Sequence, residues 1–303
     1  MPASMKRIVQ RSIALLAASS AICQADNFEY GLPDSGICPS FGEFTYFSRL
    51  RQRHGGSDVS MRSYALTLPL ADPRKTSWNT YRINAQLDTK ITGFTTGGTL
   101  DLKDDTMYNV ALPVTFIKKQ GNGNTITFGA APEIATDGNA VNHGVDLAAY
   151  GLYTVKVSDT FNYTVGAAAS PRFAVNGIVP IFGFEWNATH RWTVAMKGYR
   201  LSAMYSVNDH LDVGAFAAGD GGIWAVETIR GDEHLRVRSL IMGFAAQYDF
   251  SAPGQSKRVF NIAIGTNVAT RVEFTKRNAD KDSVESHHYK PGLYISAGVD
   301  FRF

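Results

Sequence analysis

Charged and amide side chains recur at every second position in several stretches of this sequence. In residues 81–91, Arg82, Asn84, Gln86, Asp88 and Lys90 alternate with Tyr81, Ile83, Ala85, Leu87, Thr89 and Ile91. Asp146, Thr154 and Lys156 stand in the same relation to Val145, Leu147, Ala149, Tyr153, Val155 and Val157. Near the end, Asp300 and Arg302 alternate with Val299, Phe301 and Phe303. Fixed charges of both signs gathered on one face can attract, exclude or guide small charged solutes, the electrostatic chemistry of a selective pore. On this parity the candidate pore-lining groups are Arg82, Gln86, Asp88, Lys90, Asp146, Lys156, Glu185, Arg200, Asp300 and Arg302.

Two further groups carry possible chemistry. Arg236 and Arg238 share the parity of Leu240, Met242, Phe244, Ala246 and Tyr248. They are therefore expected on the outer wall, near one end, where a guanidinium fork suits the phosphates of lipopolysaccharide. Asp280, Asp282, Glu285, His287 and His288 offer carboxylate and imidazole donors, but their spacing is irregular and defines no metal set. Covalent catalysis needs a nucleophile within reach of a base. The sequence has no Gly-x-Ser-x-Gly and no His-Glu-x-x-His, and all seven histidines fall in turns, loops or strand ends. Neither His54 nor His143 sits in a lipid-hydrolase motif. The expectation is a protein that is not an enzyme, with no cofactor and no metal.

The element that places alternate side chains on opposite faces is a β-strand. Strands of about ten residues with one apolar and one polar face are the mark of a transmembrane barrel. Lys6, Arg7 and Arg11 precede the apolar run 13–22 (IALLAASSAI) and then Cys23, Gln24 and Ala25. That order is expected of a signal peptide cleaved after Ala25, and the run is shorter than the roughly 20 residues a membrane helix needs. The rest of the chain has no other apolar run of that length. Without the three basic residues of the leader, 30 Lys+Arg against 27 Asp+Glu become 27 against 27. No basic stripe remains for nucleic acid. Cys38 would be the one cysteine after cleavage, so no internal disulfide is available.

Short turns bracketed by aromatics, such as 157–161, 186–192 and 205–211, fit the aromatic belts of a membrane interface. Counting back from the end gives strands near 41–52, 60–71, 79–91, 105–117, 124–136, 144–157, 160–173, 178–187, 191–197, 200–207, 211–228, 234–250, 257–272 and 292–303. That is fourteen, with both termini periplasmic. Twelve is the alternative, because 191–197 and 200–207 are short for a full crossing. Residues 219–222 (GDGG) call for a bulge inside their strand, and 275–291 reads as a long extracellular loop. The domain plan is a signal peptide over 1–25, a periplasmic lead-in over 26–40 and one up-and-down antiparallel barrel over 41–303.

The final segment 294–303 (YISAGVDFRF) resembles the C-terminal strand of Gram-negative outer-membrane barrels. The stretch 180–222 is similar to uncharacterised, porin-like outer-membrane barrel families. The resemblance implies residence in the outer membrane among its lipids and lipopolysaccharide. It also implies recognition by the barrel-assembly machinery through Tyr294, Val299, Phe301 and Phe303. It implies no particular substrate; the leading expectation is passive passage of small polar solutes or ions. The alternatives are a filled barrel with a structural or adhesive role and a lipid-modifying enzyme.

Overall fold

Alternation of apolar and polar residues leaves the chain one economical structure in a bilayer, a sheet closed on itself, because an open edge would leave unpaired amides in hydrocarbon. The computed structural model describes residues 40–52, 58–71, 76–96, 102, 104–170, 178–228, 231–252, 257–276 and 285–302. The leader, the lead-in up to residue 39 (Cys38 included), Asp280, Asp282 and Phe303 lie outside the described residues.

Seventeen strand segments form one sheet. They are β1 (Ser40–Arg51), β2 (Asp58–Ala71), β3 (Ser77–Trp78), β4 (Tyr81–Thr96), β5 (Thr106–Ala111), β6 (Val114–Lys119), β7 (Thr125–Thr136) and β8 (Val145–Lys156). Then follow β9 (Phe161–Ala169), β10 (Ile178–Asn187), β11 (Trp192–Lys197), β12 (Arg200–Ser206) and β13 (Leu211–Thr228). The last four are β14 (Gly231–Asp249), β15 (Lys257–Lys276), β16 (Glu285–Tyr289) and β17 (Gly292–Arg302). β5 and β6 are one stave interrupted at Leu112 and Pro113, β16 and β17 another, and β3 extends the β4 hairpin. The result is fourteen antiparallel staves, closed where β1 pairs with β17 on one side and β2 on the other. The two short strands β11 and β12 are separate members of the wall, paired along six residues from Trp192↔Tyr205 to Lys197↔Arg200.

The wall changes character along its height. Low on β2 the outward residues are Tyr64, Leu66, Leu68 and Leu70, all exposed, and the inward ones include the buried Ser63 and Thr67. Higher on the same strand Arg62 points out while Met61 and Val59 are buried. β14 does the same: Met242 and Phe244 face out below, whereas Leu235 and Val237 are fully covered on the inside above. A collar of hydroxyl pairs marks the crossover, Ser63 with Thr92 at 3.0 Å and Ser239 with Thr270 at 2.8 Å. Apolar-out belongs to lipid and apolar-in belongs to a water-exposed fold, so the collar marks where the wall leaves the membrane.

Above the collar the barrel narrows. β13 outruns β12 and forms a parallel bridge with β7, Ala225↔Thr136, directly above β8–β12. Gln52 bridges Tyr289, joining β1 to β16. The upper ring thus contains nine strands: β1, β2, β4, β5, β7, β13, β14, β15 and β16. Eight strands only just enclose their side chains, and this ring is filled. Phe47, Leu50, Val59, Met61, Phe94, Met107, Trp224, Val226, Leu235, Val237, Val272, Phe274 and Tyr289 form one buried apolar cluster inside it.

The β13–β14 register is unbroken through residues 219–222, so the expected bulge is absent there. Gly221 takes up the bend instead, at φ +154°. A Cβ there would collide with the Val237 carbonyl, so glycine is what lets the hairpin lie close. The irregularity sits on β15, where Leu240 pairs with Ala269 and Ile241 with Asn267, leaving Val268 over. The segment expected as a loop over 275–291 is also shorter, because β15 runs to Lys276 and β16 pairs back onto it.

Candidate functional site

Below the collar the inward positions are polar, and they leave a chamber of about 460 Å³. It runs from the turn residues Asp209, His210 and Asp249 at the end away from the filled ring to Tyr199, Gly219 and Asp220 beneath that ring. Its ceiling is an ion pair across the lumen, Lys90 Nζ to Asp220 Oδ1 at 3.6 Å. Immediately above, Phe94 meets Trp224 edge-on with ring centroids 5.9 Å apart.

Among the described residues, eight carboxylates line the chamber: Glu43, Asp88, Glu185, Asp209, Asp212, Asp220, Asp249 and Asp300. Three basic groups oppose them, Lys90, Lys197 and Arg200. Lys197 is held by Glu185 at 3.2 Å. The Arg200 guanidinium lies 5.1 Å over the Phe216 ring, a cation–π contact that fixes it against the wall. Asn261 donates to Asp300. A lumen with this excess of carboxylates sets up a negative potential and concentrates cations.

Of the ten candidate pore-lining residues, Asp88, Lys90, Glu185, Arg200 and Asp300 border the chamber. Gln86 points inward but is sealed, 2% exposed, and its Nε2 has no hydrogen-bond partner among the described residues. Asp146 faces inward on β8 and accepts from Ser170 Oγ at 2.6 Å. Arg82 is exposed near the rim away from the filled ring. Lys156 reaches the next turn, 2.6 Å from Asp159, and holds that carboxyl below its usual range. The side chain of Arg302 is outside the description, as is that of Phe301. Tyr294 faces inward, its ring 5.2 Å from Phe47 and 6.1 Å from Phe216. Val299 pairs with Gly42 and Phe260 at the closing seam.

Arg236 and Arg238 stand above the collar. They face Glu273 and Arg271 across the β14–β15 pair. Glu273 lies 2.7 Å from Arg271 and 4.0 Å from Arg238. Glu285 and His287 approach to 3.1 Å, and Gln52 bonds the other His287 nitrogen at 2.8 Å. No group of three metal-type donors occurs among the described residues.

Sequence parity missed the carboxylates Glu43, Asp209, Asp212, Asp220 and Asp249 and the basic Lys197. Asp220 was hidden among glycines, and Asp212 and Asp249 lie at strand ends where alternation is brief. It also missed the apolar ring, although the arginines at 236 and 238 carried its signal: polar residues on an outward parity mean that the opposite face has become the core.

The outside of the barrel completes the class. Leu66, Ile91, Val110, Leu147, Phe182, Phe244, Ile262 and Ile264 are all exposed on it. Trp78, Trp186, Trp192, Tyr205 and Tyr248 gather near the turns at the end away from the filled ring, Trp192 and Tyr205 in contact at 5.1 Å. Exposed apolar staves over a polar lumen, with an aromatic girdle, define a transmembrane β-barrel of the outer-membrane type. The chain belongs to the family described as a domain of unknown function, DUF6268, which matches residues 73–302.

No curated protein matches the sequence. Among solved structures the chain is similar to the COG4313 outer membrane channel from Pseudomonas putida F1, with 10% identity, a TM-score of 0.39, and 89% of this chain and 98% of that one covered. It is also similar to OccK5 (OpdH) of Pseudomonas aeruginosa, with 7% identity, a TM-score of 0.35, and 86% and 97% covered. A third similarity is to the P. putida toluene transporter TodX, with 11% identity, a TM-score of 0.32, and 94% of each chain covered.

Proposed function

We propose that this protein is exported through a cleaved leader to the outer membrane, where it passes small polar solutes, cations before anions. The observation that carries the reading is the chamber lining, eight carboxylates against three basic groups around about 460 Å³. Lys90 and Asp220, bonded beneath the apolar ring, form the barrier a solute meets at the top of the chamber. Arg236 and Arg238, at headgroup height on the outer wall, hold lipopolysaccharide phosphates, and the final strand is what the assembly machinery reads.

The test is conductance of refolded barrel in a planar bilayer under a salt gradient. The expected result is small, intermittent openings with a cation-selective reversal potential, which Asp88→Asn with Asp300→Asn moves toward zero. Anion selectivity, or no response to the double substitution, would refute the reading. The filled apolar ring favours a second reading, a structural barrel with no flow. Folded, inserted protein that stays silent in the same experiment would establish it.

A further inference from the structure

The wall of this barrel is not level. β11 and β12 contain six and seven residues, whereas β13, β14 and β15 contain 18, 19 and 20. Six residues at about 3.3 Å each, tilted by about 40°, rise roughly 15 Å. The apolar band of an outer-membrane barrel is about 25 Å tall. The β11–β12 turn therefore ends inside the hydrocarbon layer, about 10 Å below the level at which the other staves leave it.

Both strands flanking this gap show where the wall stops. β10 pairs with β11 only through residues 184–187, so its upper part, 178–183, has no partner on that side among the described residues. It carries Pro180, which has no N–H to leave unpaired. On the other side β13 pairs with β12 up to Ala218. One further bond, Gly219 N–H to the Tyr199 carbonyl at 3.1 Å, ends the contact. Along this edge, among the described residues, β13 meets another strand again at Ala225. The floor of the gap is Lys197, Tyr199 and Arg200, and these same residues line the chamber, as do Gly219 and Asp220. The chamber thus reaches the rim of the low wall, while the filled ring shuts it from above.

We propose that this notch is a side port through which an amphipathic cation enters the chamber from the outer leaflet, its charged head among the carboxylates and its chain left among the acyl chains. The proposal rests on the chamber being a place for solute. The charge of the head follows from the lining, and the need for a chain follows from the port opening into lipid rather than water. Exposed Ile178 and Phe182 on the flanking β10 offer that chain an apolar bank. Lys197 is paired with Glu185 and the Arg200 guanidinium is held against the Phe216 ring, and the eight carboxylates of the lining outnumber these two cations.

Single cysteines in a Cys38→Ser background test this. Ser202→Cys lies on the chamber side of β12 just below the rim; Ser296→Cys lies on the chamber side of β17, away from it. Both are reacted in liposomes with a maleimide tethered to a phospholipid. Each rate is divided by that for a small neutral thiol reagent in detergent, which corrects for burial. The port predicts a normalised rate at Ser202→Cys about tenfold above Ser296→Cys, from the higher local reagent concentration. It also predicts slowing by dodecylammonium and not by dodecyl sulfate. Equal normalised rates would overturn the port, and equal slowing by both amphiphiles would overturn the cationic ligand. Neither readout depends on ion flow. A silent barrel with unequal rates overturns the proposed passage and leaves the port, and a conducting barrel with equal rates does the reverse.

Discussion

At the scale of single residues, Asp137 does the most with one side chain. It is 2% exposed, and its Oδ1 accepts from the Asn139 and Ala140 amides at 2.9 and 3.0 Å. Its Oδ2 accepts from the Glu227 amide at 2.7 Å, and its own amide donates to the Ala225 carbonyl. It therefore both shapes the β7–β8 loop and fastens β13 to it. Asp137→Ala strands several covered amides, each costing about 1–3 kcal/mol. The expected result is earlier proteolysis of the β13–β14 hairpin while the lower barrel survives, read by mass spectrometry of the fragments. Trp224, also 2% exposed, is the largest side chain closing the ring over the chamber. Trp224→Ala should cost about 3–5 kcal/mol in urea unfolding and raise conductance by emptying the space above Lys90 and Asp220.

Elements were legible wherever period two was long. Residues 81–91 and 145–157 announced β4 and β8, and the two short strands β11 and β12 were legible because Trp192 and Tyr205 bracket the ends away from their shared turn. What the pattern could not give was the level at which a strand leaves the bilayer. Period two is the same whether the apolar face points to lipid or to a core, so β2 gave no sign of the inversion at the collar, and on β14 Arg236 and Arg238 read as headgroup contacts on the outer wall. Glycine at 221 was likewise visible as punctuation, but whether it made a bulge or a bend depended on the Val237 carbonyl across the strand pair. Gly221→Ala should cost about 1–3 kcal/mol, the scale of a strained backbone position. It should lower the yield of folded, heat-modifiable barrel without changing strand content by circular dichroism.

For the whole molecule, the consequence is a vessel with a wide base and a narrow, filled neck. The candidate site divides along the same line. Asp88, Lys90, Glu185, Arg200 and Asp300 were legible because they lie below the collar, where inward means polar; Trp224 and Phe94 were not, because they lie above it. One parallel bridge joins β7 to β13 in the neck, and bridged strands stand about 5 Å apart, a spacing a disulfide can span. Thr136→Cys with Ala225→Cys, in the Cys38→Ser background, should oxidise to a cross-link visible as a gel-mobility shift. It should abolish the extra conductance of Trp224→Ala if that conductance needs the hairpin to move, and leave it intact if the emptied volume alone suffices.

The same bridge orders events in time. Nearly every other pairing joins strands that follow one another in the chain, and each can zip as its neighbour arrives. The bond between Asp137 and Glu227 spans 90 positions. It cannot form until β8 to β12 have taken their places between its partners. The β7–β13 seam of the neck is therefore made later than the pairings of the strands between them. A barrel caught before that step would hold its chamber open at both ends. How long the chamber stays uncapped is then set by the speed with which β13 finds β7.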